Sequence, residues 1–215
     1  LLAGLAVSAH AEENRITVTD MGGREIVLDA PAERIVALTA ADCEILYAIG
    51  AGDKLVGRGE YCDYPAEVFE VPSVQSGYET NLEQIIALEP QVVLMGTMAQ
   101  SLEQVEALEN AGIRVVVSDA QNIEGVYTAI RMIGSLMGME ENAEALVQNM
   151  TNTFEELKSS SSENSGKTIY FEVSPLEYGL WTAGAGTFMD EVTEMLGLEN
   201  AFWMYPAGRK FLRSR

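Results

Sequence analysis

The chain has 215 residues, 47% of them hydrophobic, and sets 33 acidic against 13 basic side chains for a formal charge of −20. That length holds one large domain or two small lobes, and the apolar content excludes a disordered chain. The charge excludes a nucleic-acid partner, since phosphates reward basic patches and repel this surface, and no apolar run approaches the roughly 20 residues of a bilayer span.

Residues 1–11 read as the rear half of a signal peptide. Leu1-Leu2-Ala3-Gly4-Leu5-Ala6-Val7 is an apolar stub, and Ala9-His10-Ala11 a small-x-small cleavage site before Glu12-Glu13. No lipobox cysteine follows, so a soluble exported protein is expected, periplasmic or at the cell surface. The one histidine, His10, falls in the stub and leaves the mature chain with none.

Ile16-Thr17-Val18-Thr19 and Glu25-Ile26-Val27-Leu28 flank Asp20-Met21-Gly22-Gly23, the pattern of a hairpin. Arg34 to Leu38 is an apolar run of buried-strand length. Thr39-Ala40-Ala41-Asp42 then resembles a capping box opening a helix that Gly50 stops. A short strand, Leu55-Val56-Gly57, hands over to Arg58-Gly59-Glu60-Tyr61-Cys62-Asp63-Tyr64-Pro65, a polar and aromatic stretch. Asn81 caps a helix ended by Pro90, Gln91 to Gly96 is a strand, Ser101 caps a third helix, and Ile113 to Val117 is a further strand. Apolar strands alternating with helices mean a parallel sheet covered on both faces. Ligands of such sheets sit beyond the carboxyl ends of the strands: here Thr39, Arg58 to Tyr64, Gly96-Thr97-Met98 and Ser118-Asp119.

From Ile123 to about Leu157 the spacing is helical, with a break at Gly138. A Ser-rich stretch at 159–166 precedes a new α/β unit: strands at Thr168–Val173 and Tyr178–Thr182, then a helix from Thr187 to Leu196. The expected architecture is α/β, with two Rossmann-like lobes joined by a long backbone helix and a short N-terminal β-hairpin. Its parts are an N-terminal lobe over 12–121, connecting helices and the Ser-rich break over 122–165, a partial C-terminal lobe over 166–202, and an aberrant basic tail over 203–215.

Cys43 and Cys62 are the only cysteines. Paired, they would close a loop of about 20 residues and contribute roughly 3 kcal/mol. Two independent thiols are the equal alternative.

Without a mature histidine there is no Ser-His-Asp or Cys-His engine and no His-built zinc site. Neither a G-x-S-x-G elbow nor a D-x-D-x-D-G loop occurs, and Gly184-Ala185-Gly186-Thr187 lacks the Gly-Lys-[Ser/Thr] ending of a phosphate loop. The expectation is binding, with no catalytic residue, cofactor or metal. Tyr61, Tyr64 and Tyr78 fall in loops and Trp181 at a strand end. Aromatic walls with a few polar groups hold large, partly apolar ligands.

Arg34-Ile35-Val36-Ala37-Leu38, Gly50 to Gly57, Asp63-Tyr64-Pro65, Asn81-Leu82-Glu83-Gln84-Ile85, Leu88-Glu89-Pro90 and Gly184-x-Gly186-Thr187-Phe188 together resemble the helical-backbone (class III) periplasmic binding proteins. These serve ABC importers of iron–siderophores, haem and vitamin B12. Tyr61 to Pro65 leading to Asn81-Leu82-Glu83 is most similar to the cobalamin-binding branch, with the hydroxamate-siderophore branch close behind. The resemblance implies a monomeric clamshell that grips cobalamin or a ferric siderophore between its rims and delivers it to a permease dimer. By position, Thr39, Arg58, Tyr61, Tyr64, Tyr78 and Met98 would line the first rim and Trp181 the second. Arg58 has the alternatives of an acidic siderophore or Glu60. Glu83 would dock to permease arginines, although a carboxylate there also suits the helix macrodipole.

After Asn200-Ala201-Phe202 the family continues with further strands and helices. About 36 residues, Thr168 to Trp203, stand in for a whole lobe. The chain is therefore expected to be C-terminally truncated, with half a clamp and weak or absent affinity. The rival expectation is an exported enzyme, chelatase-like, acting on a tetrapyrrole or metal chelate.

Overall fold

Four of the apolar runs become neighbouring strands of one parallel sheet. In this computed structural model residues 15–77, 79–96, 101–161, 166–179 and 181–204 are described. The signal stub, Tyr78, Met98 and most of the basic tail lie outside them.

The strands β1 (Ile16–Thr19) and β2 (Glu25–Leu28) pair antiparallel, as their alternation predicts. Then follow β3 (Ile35–Ala37), α1 (Ala40–Ala48), β4 (Leu55–Gly59), β5 (Ser73–Val74), α2 (Leu82–Ala87), β6 (Val92–Met95), α3 (Leu102–Asn110) and β7 (Arg114–Val117). The five strands β3 to β7 form a parallel sheet in the order β5-β4-β3-β6-β7. Every residue of β3 and β6 is buried, the reason both read as unbroken apolar runs. One core cluster joins Val36, Val93, Met95 and Val115 of the sheet to Ile85 and Leu108 of the helices. Each such side chain contributes roughly 1.5–3 kcal/mol.

Side chains close the helix ends that the sequence marks. Thr39 accepts from the Asp42 amide, Asn81 from that of Gln84, and Ser101 with Gln104 completes a reciprocal capping box. The Asn81 and Ser101 caps each leave a glutamate, Glu83 and Glu103, in the first turn.

The hairpin is held to the edge strand β7 by the Met21 N–H on the Val117 carbonyl at 3.0 Å, the Arg24 guanidinium on that of Val115 at 2.7 Å, and one carboxylate. Asp20 accepts from the amides of Gly22 at 3.0 Å, Arg24 at 2.8 Å and Val117 at 3.1 Å, and from the Arg24 guanidinium at 2.9 and 3.0 Å. Its side chain is wholly buried, whereas that of Arg24 is 34% exposed. Asp20→Asn keeps the shape but turns a donor amide toward these donors. It should cost about 2 kcal/mol, read as a shifted urea midpoint, because hydrogen bonds to a charged partner are worth about 1.5–3 kcal/mol. An unchanged midpoint would show the hairpin held by other means.

Beyond the sheet come α4 (Ile123–Met137) and α5 (Glu140–Ser160), interrupted at Gly138 with φ +64° as its position predicts. The chain divides into two compact units. One runs through Ala120 and includes Tyr127–Val147; the other comprises Gln121–Val126 and everything from Gln148 on.

In the second unit β8 (Thr168–Ile169) pairs in parallel with β9 (Glu199–Asn200), and α6 (Phe188–Met195) lies between them in sequence. Two expectations change here. The strand foreseen over Thr168–Val173 ends at Ile169. That foreseen over Tyr178–Thr182 is absent among its described residues: Leu176–Tyr178 is a 3-10 turn and 181–184 irregular. A strand needs a ladder, and β8 has only β9 beside it among the described residues. Gly184-Ala185-Gly186-Thr187 is the turn into α6. Asp190 accepts from Gly186 N–H at 2.9 Å, and Thr187 caps the helix.

Candidate functional site

The strand order β5-β4-β3-β6-β7 runs outward from β3 on one side, then crosses back to β6 on the other. At such a reversal the loops leaving two neighbouring strands diverge and open a crevice beyond their carboxyl ends. Thr39 leaves β3 there and Gly96 leaves β6, with a Cβ on Gly96 falling 3.6 Å from the Thr39 methyl. Ser118 follows β7, and Glu60 to Pro65 follow β4.

Beneath Thr39 lies a residue that sequence reading passed over. Asp42, in the first turn of α1, is 1% exposed, and its Oδ2 accepts from the Thr39 hydroxyl at 2.6 Å. Burial pushes its carboxyl up to about 6; hydrogen bonds from Ser118 and Thr39 oppose the shift, and the charge of Asp119 adds to it. The signal was available in part, since Thr39-Ala40-Ala41-Asp42 was read as a cap. Among 33 acids, however, nothing local in the sequence marks this one, which is buried as Asp20 and Asp190 also are.

On the loop after β4 the side chains alternate in fate. Tyr61 and Tyr64 are 76% and 64% exposed, while Cys62 between them is fully buried. The Tyr64–Pro65 bond is cis. Arg58 lies within β4 rather than on the rim beyond it, and is mostly buried. Its Nη1 donates to the carbonyls of Gly59 at 3.3 Å and Cys62 at 3.0 Å, and its guanidinium stands 5.2 Å from the centre of the exposed Phe69 ring. Its Nε has no partner among the described residues. The guanidinium thus braces the loop from below.

Cys43 and Cys62 are buried free thiols, and the Cys43 thiol donates to the Ala37 carbonyl at 3.8 Å. A hydrogen bond with Cys62, with burial, pushes the Cys43 thiol up. The same bond pulls Cys62 down, helped by the Gly59 amide link and the charge of Arg58 and opposed by burial. Glu83 is exposed on α2. In the second unit Trp181, 37% exposed, donates its indole N–H to the Tyr178 carbonyl at 3.0 Å. Among the described residues no three Cys, Asp, Glu or His side chains gather as a metal site.

The first unit therefore presents two exposed tyrosine rings beyond the carboxyl end of β4, with Thr39 and Ser118 beyond those of β3 and β7. Residues 35–212 match the periplasmic binding protein family. The chain belongs to that family.

Among its relatives is a Bacillus subtilis protein named as an uncharacterised ABC transporter substrate-binding lipoprotein, YvrC. It is 34% identical over 86% of this chain and 60% of its own length. A vitamin B12-binding protein of Salmonella paratyphi A is 31% identical over 80% of this chain and 63% of its own. The chain thus spans about three fifths of the length of these curated relatives. Among solved structures, a possible iron-binding periplasmic solute-binding protein of Staphylococcus epidermidis superimposes with a TM-score of 0.73 at 27% identity, over 85% of this chain and 72% of that one. The α/β architecture with its parallel sheet is that of the family's two-lobe members. These relatives are named as binding proteins, not as enzymes.

Proposed function

We propose that the protein is the exported substrate-binding component of an ABC importer, and that it carries a bulky, ring-bearing cargo of the cobalamin or iron–chelate class. The observation behind this reading is the pair of open rings, Tyr61 and Tyr64, at the carboxyl edge of the sheet in a family of binding proteins. A fully solvated tyrosine forgoes its burial energy, so exposed aromatic clusters mark surfaces that some partner covers. Thr39, at the carboxyl end of the neighbouring strand β3, is a further candidate contact on this rim. Tyr78 and Met98 remain candidates for the first rim and Trp181 for the second, with a monomer handing its cargo to the permease and Glu83 as docking acid. Cobalamin leads because relatives at 26–31% identity carry that name; the iron-binding structural relative supports the chelate alternative.

Intrinsic fluorescence of the full-length protein tests this. Titration with cyanocobalamin, a ferric hydroxamate and haem should give saturable quenching with one of the three and no turnover. Tyr61→Ala should weaken that binding about tenfold, equivalent to about 1.4 kcal/mol, with the unfolding midpoint unchanged because the ring packs on little. Unaltered affinity would remove Tyr61 from the site, and chemical conversion of the ligand would overturn the carrier reading.

A further inference from the structure

We propose that Cys43 and Cys62 are joined as a disulfide in the exported protein, a staple that fastens the aromatic loop at 60–65 to helix α1. The inference rests on the export reading for its oxidising surroundings and on the fold for its geometry. Cys43 lies in α1, which follows β3, and Cys62 in the loop that follows β4. These strands are parallel neighbours, with Ala37 opposite Arg58. The two side chains are fully buried; the Cys43 thiol donates to the Ala37 carbonyl at 3.8 Å, and Arg58, opposite Ala37 on the ladder, donates to the Cys62 carbonyl at 3.0 Å, so the strand pair brings the two cysteines to the same place. Two cysteines placed independently in an apolar core would have no reason to meet.

The staple would act where the rings are. Without it, Cys62 is held by two backbone contacts, its N–H to the Gly59 carbonyl at 3.1 Å and its own carbonyl to Arg58 at 3.0 Å. Tyr61 and Tyr64 stand on either side of this anchor, so a covalent tie at Cys62 fixes the backbone from which both rings project. A rigid rim loses less entropy when a ligand settles on it.

The chemistry is thiol–disulfide exchange with a disulfide donor of the oxidoreductase or glutathione-disulfide class, before the loop closes over the sulfurs. The Cys62 thiolate attacks the donor and expels one thiolate. Cys43 then loses its proton and attacks the Cys62 sulfur, and the second donor thiolate leaves. The protein gives up two electrons and two protons, and the donor disulfide becomes two thiols.

The test uses the full chain, reduced, unfolded and refolded in a glutathione/glutathione-disulfide buffer. Intact mass should fall by about 2 Da, and maleimide added under denaturing conditions should find no thiol. Adding a phosphine reductant to the native oxidised protein and following its melting should lower the midpoint by roughly 5–10 °C. In Cys43→Ala that dependence on reductant should vanish. The comparison is made within each protein, so a destabilised variant still reports. Two maleimides on the refolded wild type, or equal reductant responses in wild type and variant, would overturn the staple. Fractionated cells separate the two readings. An exported protein with both thiols free sinks the staple. A protein that stays inside the cell, yet pairs its cysteines on refolding, sinks only the export reading.

Discussion

Gly59→Ala is expected to melt roughly 6–12 °C below the wild type and to bind its cargo more weakly. Gly59 ends β4, and a Cβ on it would run into the carbonyl oxygen of Leu38 and come within 2.9 Å of the Ser76 hydroxyl. The hydroxyl can rotate away; the carbonyl cannot. It belongs to the main chain just beyond β3, and the Leu38 N–H is tied at 3.0 Å to the Leu94 carbonyl. Relief of the clash must open the ladder at the sheet's centre, so the cost is set near the top of the usual range for overpacking, about 3 kcal/mol. Gly57 supplies the contrast. A Cβ there meets the side-chain ends of Leu88 at 2.5 Å and Val36 at 3.1 Å, which can repack, so Gly57→Ala should lose less. Binding suffers in Gly59→Ala because the Gly59 carbonyl accepts from both Cys62 N–H and Arg58, the contacts that seat Tyr61. A midpoint within about 2 °C of the wild type would mean that the strands β3 and β4 are less tightly opposed than the structure places them.

What could be read in the sequence follows from how local each cause is. β3 and β6 were legible because burial on both faces leaves only apolar residues to choose from. The caps Thr39, Asn81 and Ser101 were legible because a cap acts within three residues of itself. The strand β5 was not, since Ser73–Val74 is too short to show any period and exists only as a partner for Arg58 and Gly59. In the second unit Tyr170 to Thr182 is rich in β-formers, yet propensity without a neighbouring strand leaves most of it irregular. There the Tyr170 ring packs 5.8 Å from that of Phe202 instead. At the site, the exposed rings of Tyr61 and Tyr64 could be guessed from their polar surroundings. The inward turn of Arg58 and the burial of Asp42 could not, because both depend on what lies across the sheet.

Asp42 carries the second large effect, and its sign follows from linkage. Burial raises its folded pKa to about 6, against 3.8 for the exposed group. Below about pH 3.8 the carboxyl is neutral in folded and unfolded chains alike, and its burial carries no charge penalty. As pH rises toward 6 the unfolded chain ionises freely, while the folded one must either stay protonated or place a charge in the core. Stability present at low pH is therefore lost across this window. The gap of about two pH units amounts to about 3 kcal/mol, fully expressed above pH 6. The quantity to measure is the difference between wild type and Asp42→Asn in urea unfolding at pH 4 and pH 7.5, which isolates this one carboxyl. Asparagine still accepts from the Thr39 hydroxyl, and its amide nitrogen left unpaired costs about 1 kcal/mol. The variant should be the less stable protein at pH 4 and the more stable at pH 7.5, by about 1–2 kcal/mol after that cost. A difference that stays constant between the two pH values would mean that water or a cation reaches this carboxylate at the mouth of the crevice.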